Sequence, residues 1–397
     1  MLSKLKLCWA FAAVAACVTI GAHAAEPIKL GVSGPFTGGS APMGISMRNG
    51  IKLAVDEINA AGGVLGRPLV MVERDDQANN ARGLQIAQEL VYKEHVAASV
   101  GIISTGVILA SQKVYQDAQI PMLTPGPSGT QVTKVFMTSA YPKSYVFRVS
   151  LVDRIQAGMI ANEAVNREHL KKVAVFADSS NYGQLGREDL TAALAKLGVT
   201  PVDVEKWNQG DVDMTSQVLR AKAAGAEALL TYGEGPELAQ IANEMVKLGW
   251  KVPMIGSWTL SMPNYIQLAG PNAEGTRFPQ TFVADGSPRR LAFIQKYRNA
   301  YHTDYIPGAV WAAQGYDVVY LMAAAMKQAG TTDGPKVRDA LENLNEKYDG
   351  LIMTYDHPFS KTDHDAIRDG SVAVMAQIRG GRVVKMDDAQ TQAQAAR

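Results

Sequence analysis

The sequence predicts an α/β protein made of two doubly wound parallel-sheet lobes, and three observations lead there. Short apolar runs alternate with segments whose apolar residues recur at three and four, the pattern of β–α units with helices on both sheet faces. The alternation runs once up to Arg148 and restarts after it. The length, 397 residues, allows two domains of ordinary size.

The elements follow in order. Residues 28–33 read as a buried strand that ends in the loop Gly34-Pro35-Phe36-Thr37-Gly38-Gly39. Met47, Ile51, Ala54, Val55 and Ile58 share one helix face, and Gly62-Gly63 stops that helix. A strand at 69–73 leads to Asp75-Asp76, adjacent acids that read as turn caps. A helix carrying Leu84, Ala87 and Val91 comes next, followed by a strand at 98–103, a helix at 109–116 and a strand at 120–124 closed by Pro125-Gly126-Pro127. The second series has helices at 155–166, 185–197, 215–224 and 238–248, interleaved with strands at 173–177, 202–206, 228–231 and 254–255. No residue-level repeat links the two series.

Ligands of open parallel sheets sit beyond the carboxyl ends of the strands. The loops at 34–44, 104–106, 124–128, 178–183, 232–236 and 256–261 all follow strands and are rich in Gly, Ser, Thr and aromatics, which suits binding more than catalysis.

Composition narrows the function. With 47% hydrophobic and 19% charged residues the chain is a globular protein, and 39 Lys+Arg against 38 Asp+Glu give no basic surplus, so no nucleic-acid partner is expected. Lys4 and Lys6, an apolar run over 7–22 and Ala22-His23-Ala24 make a secretory signal peptide with cleavage expected after Ala24. Val14-Ala15-Ala16-Cys17 loosely resembles a lipobox, but the apolar run continues past it. The cut after Ala24 removes both cysteines, Cys8 and Cys17, leaving an exported body with no thiol for a disulfide, a nucleophile or a metal.

Catalytic signatures are missing. The sequence has no Gly-x-x-x-x-Gly-Lys-Ser/Thr, no Gly-x-Gly-x-x-Gly and no His-Glu-x-x-His, and its Gly/Ser loops miss the Gly-x-Ser-x-Gly register. His357 and His364 with Asp363 and Asp365 form the nearest approach to a metal cluster, but their spacing suits a solvated loop better. The one constellation with positive content is Ser104-Thr105-Gly106, which opens a helix. It offers hydroxyls and free N–H groups to a carboxylate, or else a cap to its own helix; Ser128 stands on the adjacent loop.

Gly34-Pro35-Phe36-Thr37-Gly38, the run from Asn49 to Gly63, Arg74-Asp75-Asp76, Gly101 through Gly106, Ile120 through Pro125, Asn181-Tyr182-Gly183 and Gly315-Tyr316-Asp317 are similar to motifs of the periplasmic leucine/isoleucine/valine-binding family of solute receptors. The resemblance implies a type I periplasmic binding protein whose lobes are joined by a three-segment hinge, near 147–150, 277–282 and 351–355. Lobe 1 would comprise 25–147 plus 279–351, and lobe 2 would comprise 148–278 plus 352–397. It implies a monomeric, cofactor-free, non-enzymatic receptor in the periplasm that hands a small solute to an inner-membrane ABC permease. The same fold would equally serve a ligand sensor with no transport role.

Carried over residue by residue, the carboxylate seat falls on Ser104 or Thr105, with Ser128 beside it, and the carbonyl for an ammonium falls on Gly126. Tyr182 and Met43 fall on the walls of the two lobes. Amino-acid-binding members carry a glutamate where this chain has Trp258. Glu234 either replaces that charge from a neighbouring loop or is a solvated turn residue; if it does not replace it, Trp258 favours an aromatic or branched carboxylate over an amino acid.

Overall fold

The computed structural model describes residues 26–283 and 287–386. The segment read as a signal peptide, with Cys8 and Cys17, and the tail from 387 lie outside the described residues.

The first sheet is built from β1 (Ile28–Gly34), α1 (Ala41–Ala60), β2 (Leu69–Asp75), α2 (Asn80–Gln88), β3 (Ala98–Ser99), α3 (Thr105–Asp117), β4 (Met122–Thr124) and β5 (Val146–Arg148). Its strands are all parallel, in the order β2-β1-β3-β4-β5. β1 is nearly continuous in burial because helices cover both of its faces.

The second series is α4 (Asp153–Asn162), β6 (Val173–Asp178), α5 (Asn181–Lys196), β7 (Asp203–Trp207), α6 (Thr215–Ala223), β8 (Ala228–Tyr232), α7 (Glu237–Lys247), β9 (Met254–Gly256), α8 (Pro263–Ala269) and β10 (Arg277–Gln280). The chain then passes through α9 (Pro288–Tyr301), α10 (Ala309–Ala329), α11 (Gly334–Glu342) and the hairpin β11 (Tyr348–Asp349) and β12 (Thr354–Tyr355). It finishes in β13 (Val374–Arg379) and β14 (Arg382–Lys385). The second sheet runs β14-β13-β10-β9-β8-β6-β7. Its first five strands in chain order repeat the arrangement of the first sheet, so each lobe has its switch point between its first and third strands.

Three features differ from the sequence reading. The strand expected over 98–103 is hydrogen-bonded as β3 only at 98–99. Beyond it the chain is pressed onto the end of β1: Ile102 donates to the Ser33 carbonyl at 2.6 Å and takes a φ of 73°, strained for a β-branched residue. The second sheet is not purely parallel, because β13 pairs antiparallel with β10 and β14 antiparallel with β13. His364 and Asp365 are buried, not solvated. His364 stacks on Phe147 at 3.7 Å and bonds the Val146 carbonyl, while Asp365 pairs with buried Arg148 at 2.7 Å. Among the described residues no group of His, Cys, Asp and Glu forms a metal site, and no helix is long and apolar enough to cross a membrane.

α10 is apolar nearly all round because it is an interior helix. It packs on α1 with backbone approach at two glycines: a Cβ on Gly50 would collide with the Ala312 backbone, and one on Gly315 with the Met47 backbone. This close crossing sets the start of α10 beside the start of α1, under the cleft between the lobes.

Candidate ligand-binding site

Both switch points face the same cleft. From the first lobe come Ser40 and Met43 at the start of α1, Ser104 and Thr105 at the start of α3, and Gly126 and Ser128 after β4. From the second come Tyr182 in the first turn of α5, Glu234 after β8, and Trp258 after β9.

A narrow inner chamber of about 10 Å³ is walled by Met43, Thr105, Gly126, Ser128, Tyr182, Glu234 and Trp258, together with Ile103, Thr259 and Trp311. A larger polar cleft, about 510 Å³ and open to solvent, adjoins it and shares Tyr182 and Glu234. Ser104 lines this outer cleft and not the inner chamber. The fold thus brings all eight sequence-predicted residues to one place, seven around the chamber and Ser104 at its mouth.

Ser104 holds the N-cap position of α3, yet its hydroxyl makes no capping bond; buried, it has no hydrogen-bond partner. Thr105 uses its hydroxyl to accept the Gly129 N–H at 3.2 Å. Neither side chain caps α3, so the capping alternative does not hold. The N-termini of α2 and α5 face the same cleft, but there Asn79 and Ser180 do cap, accepting from Arg82 N–H at 3.0 Å and Gly183 N–H at 3.2 Å. Ser104 is therefore the hydroxyl left free where free N–H groups meet. Gly126 is needed for close approach, since a Cβ there would run into the Ile103 backbone at 2.6 Å.

Glu234 is not a solvated turn residue: it is 7% exposed. Its Oε2 accepts the Ser40 hydroxyl from the other lobe at 2.8 Å, and its N–H donates to Asp178 Oδ2 at 3.0 Å. Burial, and then the neighbouring Asp178 charge, push its carboxyl up to about 7. Trp258 is buried as well; its N–H donates to Gln156 Oε1 at 3.1 Å and its ring meets Trp311 of the other lobe at 5.4 Å between centroids. The Tyr182 hydroxyl is buried with no hydrogen-bond partner, beside the Tyr232 ring at 5.5 Å. Asp75 and Asp76 cap turns: Asp75 accepts from Phe36 N–H at 2.8 Å and Asp76 from Ala78 N–H at 2.9 Å.

The site therefore offers aromatic walls from both lobes, the unpartnered Ser104 hydroxyl at the first-lobe mouth, and in the second lobe the unpartnered Tyr182 hydroxyl and a buried acid. Its described lining contains no His, Cys or Lys to serve as nucleophile or base. The family model described as periplasmic binding protein matches residues 27–382.

The chain belongs to the periplasmic binding protein family. A Leu/Ile/Val-binding protein homolog 3 of Brucella melitensis is 30% identical over 81% of this chain and 84% of its own length. The structure of a type 1 periplasmic binding protein from Bordetella pertussis superposes with a TM-score of 0.81 at 27% identity, covering 91% of this chain and 99% of that one. The branched-chain amino acid transporter substrate-binding protein LivJ of Streptococcus pneumoniae, solved with isoleucine, gives 0.78 at 25% identity over 91% of this chain and 100% of that one.

Sequence reasoning about this periplasmic binding protein missed Trp311, Thr259 and Ser40. Trp311 stands two residues inside α10, on the segment that returns to the first lobe, far in sequence from any strand-end loop. The available signal was a tryptophan opening an apolar helix just after Gly308. Ser40 lies within the loop at 34–44, but only the fold shows that it reaches Glu234.

Proposed function

We propose that this chain is the substrate-binding component of an ABC importer. It is exported to the periplasm after cleavage behind Ala24 and acts as a monomer. It captures a small carboxylate-bearing solute with an apolar body, a hydrophobic amino acid or an aromatic or branched carboxylate. The lobes that close on it are 25–147 with 279–351 and 148–278 with 352–397. One observation carries this reading: a chamber walled by both lobes, with Trp258 packed against Trp311 in its wall and the unpartnered Ser104 hydroxyl at its mouth. An apolar body gains by leaving water against the aromatic walls of Tyr182, Trp258 and Trp311, and a carboxylate gains hydrogen bonds from Ser104, Thr105, Ser128 and the α3 N–H groups. The names of the relatives, a Leu/Ile/Val-binding homolog and an isoleucine complex, support the same class.

The test is a thermal-shift screen of protein unfolded and refolded to strip retained ligand, with branched-chain and aromatic amino acids, their oxo-acids and unrelated sugars. Ligand at a hundred times Kd adds about 2.7 kcal/mol of stability. A shift with carboxylate-bearing probes is expected; shifts with sugars alone would overturn the reading. Stimulation of a permease's ATPase by the loaded protein would establish transport over sensing.

A further inference from the structure

We propose that Arg148 is a positioning residue of the ligand site: anchored by Asp365 from the segment between β12 and β13, its guanidinium sets the loop that presents Gly126 and Ser128 to the ligand. The inference rests on the receptor reading above and adds to it a pair of residues outside the chamber lining.

β4 and β5 pair in parallel with Thr124 opposite Arg148, so Arg148 stands one strand away from where the loop at 125–129 begins. Its side chain is completely buried and sends its donors two ways. Nη1 donates to the Gly129 carbonyl at 2.7 Å and to the Pro127 carbonyl at 3.3 Å. Nε and Nη2 donate to Asp365 Oδ1 at 3.0 Å and 2.7 Å. The Pro127 carbonyl also accepts the Ser150 hydroxyl at 2.8 Å, and the Gly129 carbonyl accepts the Val132 N–H at 3.0 Å. Among the described residues only Arg148 bonds both, so it fixes the two carbonyls that bracket Ser128 against each other. The Ser128 carbonyl accepts the Asp153 N–H at 2.8 Å, and the Gly129 N–H donates to the Thr105 hydroxyl at 3.2 Å. Arg148, Ser150, Val132 and Asp153 all lie outside the chamber lining, whereas Gly126 and Ser128 are part of it. The loop's hold on these outer partners therefore decides where Gly126 and Ser128 stand in the wall.

Asp365 aims the arginine. Its Oδ1 also accepts the Thr133 hydroxyl at 2.9 Å, and Lys134 Nζ lies 3.7 Å from its Oδ2. Its backbone runs beside β5: the Arg148 N–H donates to the His364 carbonyl at 3.0 Å, and the Ala366 N–H donates to the Arg148 carbonyl at 2.9 Å. A pair buried this deeply gives up its hydration, and apolar residues of the same volume would often stabilise a fold as well. Apolar residues could not donate to two carbonyls at a fixed spacing. The planar guanidinium fork can, and a single ammonium on a flexible stem cannot. The pair is thus better explained by the loop it shapes than by stability alone.

The experiment compares R148K and D365N with D317N, whose buried carboxylate holds the 348–355 hairpin and makes no bond to the loop. All are studied as refolded, ligand-free protein under conditions where urea titration shows each to be folded. One readout is amide hydrogen exchange at Ser128 and Gly129, followed by NMR. The other is calorimetric affinity for L-leucine, L-phenylalanine and 4-methyl-2-oxopentanoate. In R148K and D365N exchange at both amides is expected to be about tenfold or more faster, and the best-bound probe roughly tenfold or more weaker. D317N should stay within about threefold of wild type in both readouts despite its lower urea midpoint, because its site is independent of the loop. D365N keeps the arginine in place and carries the test where R148K does not fold. Wild-type exchange and affinity in R148K and D365N overturn the proposal and leave the receptor reading standing. Loss of affinity in all three variants in proportion to their urea midpoints also overturns it, since the pair would then act through stability alone. A wild type that binds none of the probes counts against the receptor reading, while loop exchange, read without ligand, still decides whether Arg148 holds the loop.

Discussion

At the scale of single residues, Ser104 and Thr105 are adjacent in sequence and opposite in role. The Ser104 hydroxyl has no partner, whereas the Thr105 hydroxyl holds the Gly129 N–H. S104A should therefore leave the unfolding free energy of the empty protein unchanged and weaken a carboxylate ligand by about 1.5–3 kcal/mol, the scale of a hydrogen bond to a charge. T105A should lose stability even without ligand. Paired calorimetry and urea titration separate the two, and equal effects from both variants would refute the distinction. Glu234 adds a pH dependence. In the empty site its carboxyl sits at about 7, raised by burial and by Asp178, with Asp76 and Glu237 adding to the rise and the Ser40 hydroxyl opposing it. An ammonium needs the ionised form, so affinity for an amine-bearing ligand should fall about tenfold per pH unit below that value and level off above it. A profile flat from pH 5 to 8 would refute this. The gathering of Met43, Ser104, Thr105, Gly126, Ser128, Tyr182, Glu234 and Trp258 around one cleft was legible in the sequence, because all lie on or beside loops that follow strands. What was not legible was which partners burial leaves unpaired: Glu234 reads either as a charge reaching the site or as a solvated turn residue between glycines until the fold covers it.

Among the elements, the two lobes repeat one strand order although their residues show no repeat. The alternation of apolar runs and helix-period segments was enough to read both lobes, since strand and helix periodicity survive any change of side chain. Short buried strands were read less well. β3 loses most of its expected length because Gly101 and Ile102 are forced against β1, a tertiary effect with no local signature. The returning segment was least legible of all, since α10 is apolar on every side and gives no amphipathic pattern. Its Asp317 carries the link to the hairpin at 348–355. The carboxylate accepts the Leu351 N–H at 2.8 Å, the Ile352 N–H at 3.0 Å and the Tyr355 hydroxyl at 3.1 Å. D317N would turn an amide NH₂ toward these donors. It should lower stability by about 2–3 kcal/mol, seen as a lower urea midpoint at an unchanged m-value. A midpoint within error of the wild type would mean that other contacts hold the hairpin in place.

Across the whole molecule, closure and charge pull against each other. Bonds that span the cleft, Ser40 to Glu234 at 2.8 Å, Asn80 to Asn181 at 3.2 Å, Asn264 to the Gly39 carbonyl at 2.8 Å and Thr130 to Asp189 at 2.7 Å, hold the lobes together. The same closure crowds buried acids. Burial raises Asp76 and Asp317 to about 6, and Asp153 and Glu234 to about 7. A carboxyl raised in the folded state stays protonated there after the unfolded chain has lost its proton. Its contribution is therefore complete below the unfolded value and is lost as pH climbs through the folded one. Carboxyls shifted downward work on the acid side. Asp365 is lowered, with burial opposing and the Arg148 charge and hydrogen bonds prevailing; Asp75 is lowered by Thr37 and backbone N–H bonds, again against burial. Their contributions vanish only as pH falls below the usual carboxylate range. The ligand-free protein should thus be most stable near pH 4, within the usual carboxylate range, with Tm about 5 °C or more lower at pH 8 than at pH 5. E234Q should flatten part of that slope, because a neutral amide has no proton to lose. A ligand that brings a cation into the chamber should recover Tm more at pH 8 than at pH 5, since only at the higher pH does it meet an ionised Glu234. Differential scanning calorimetry at both pH values, with and without the tightest amine-bearing probe, measures all of this, and a ligand-free Tm that rises from pH 5 to pH 8 would refute it.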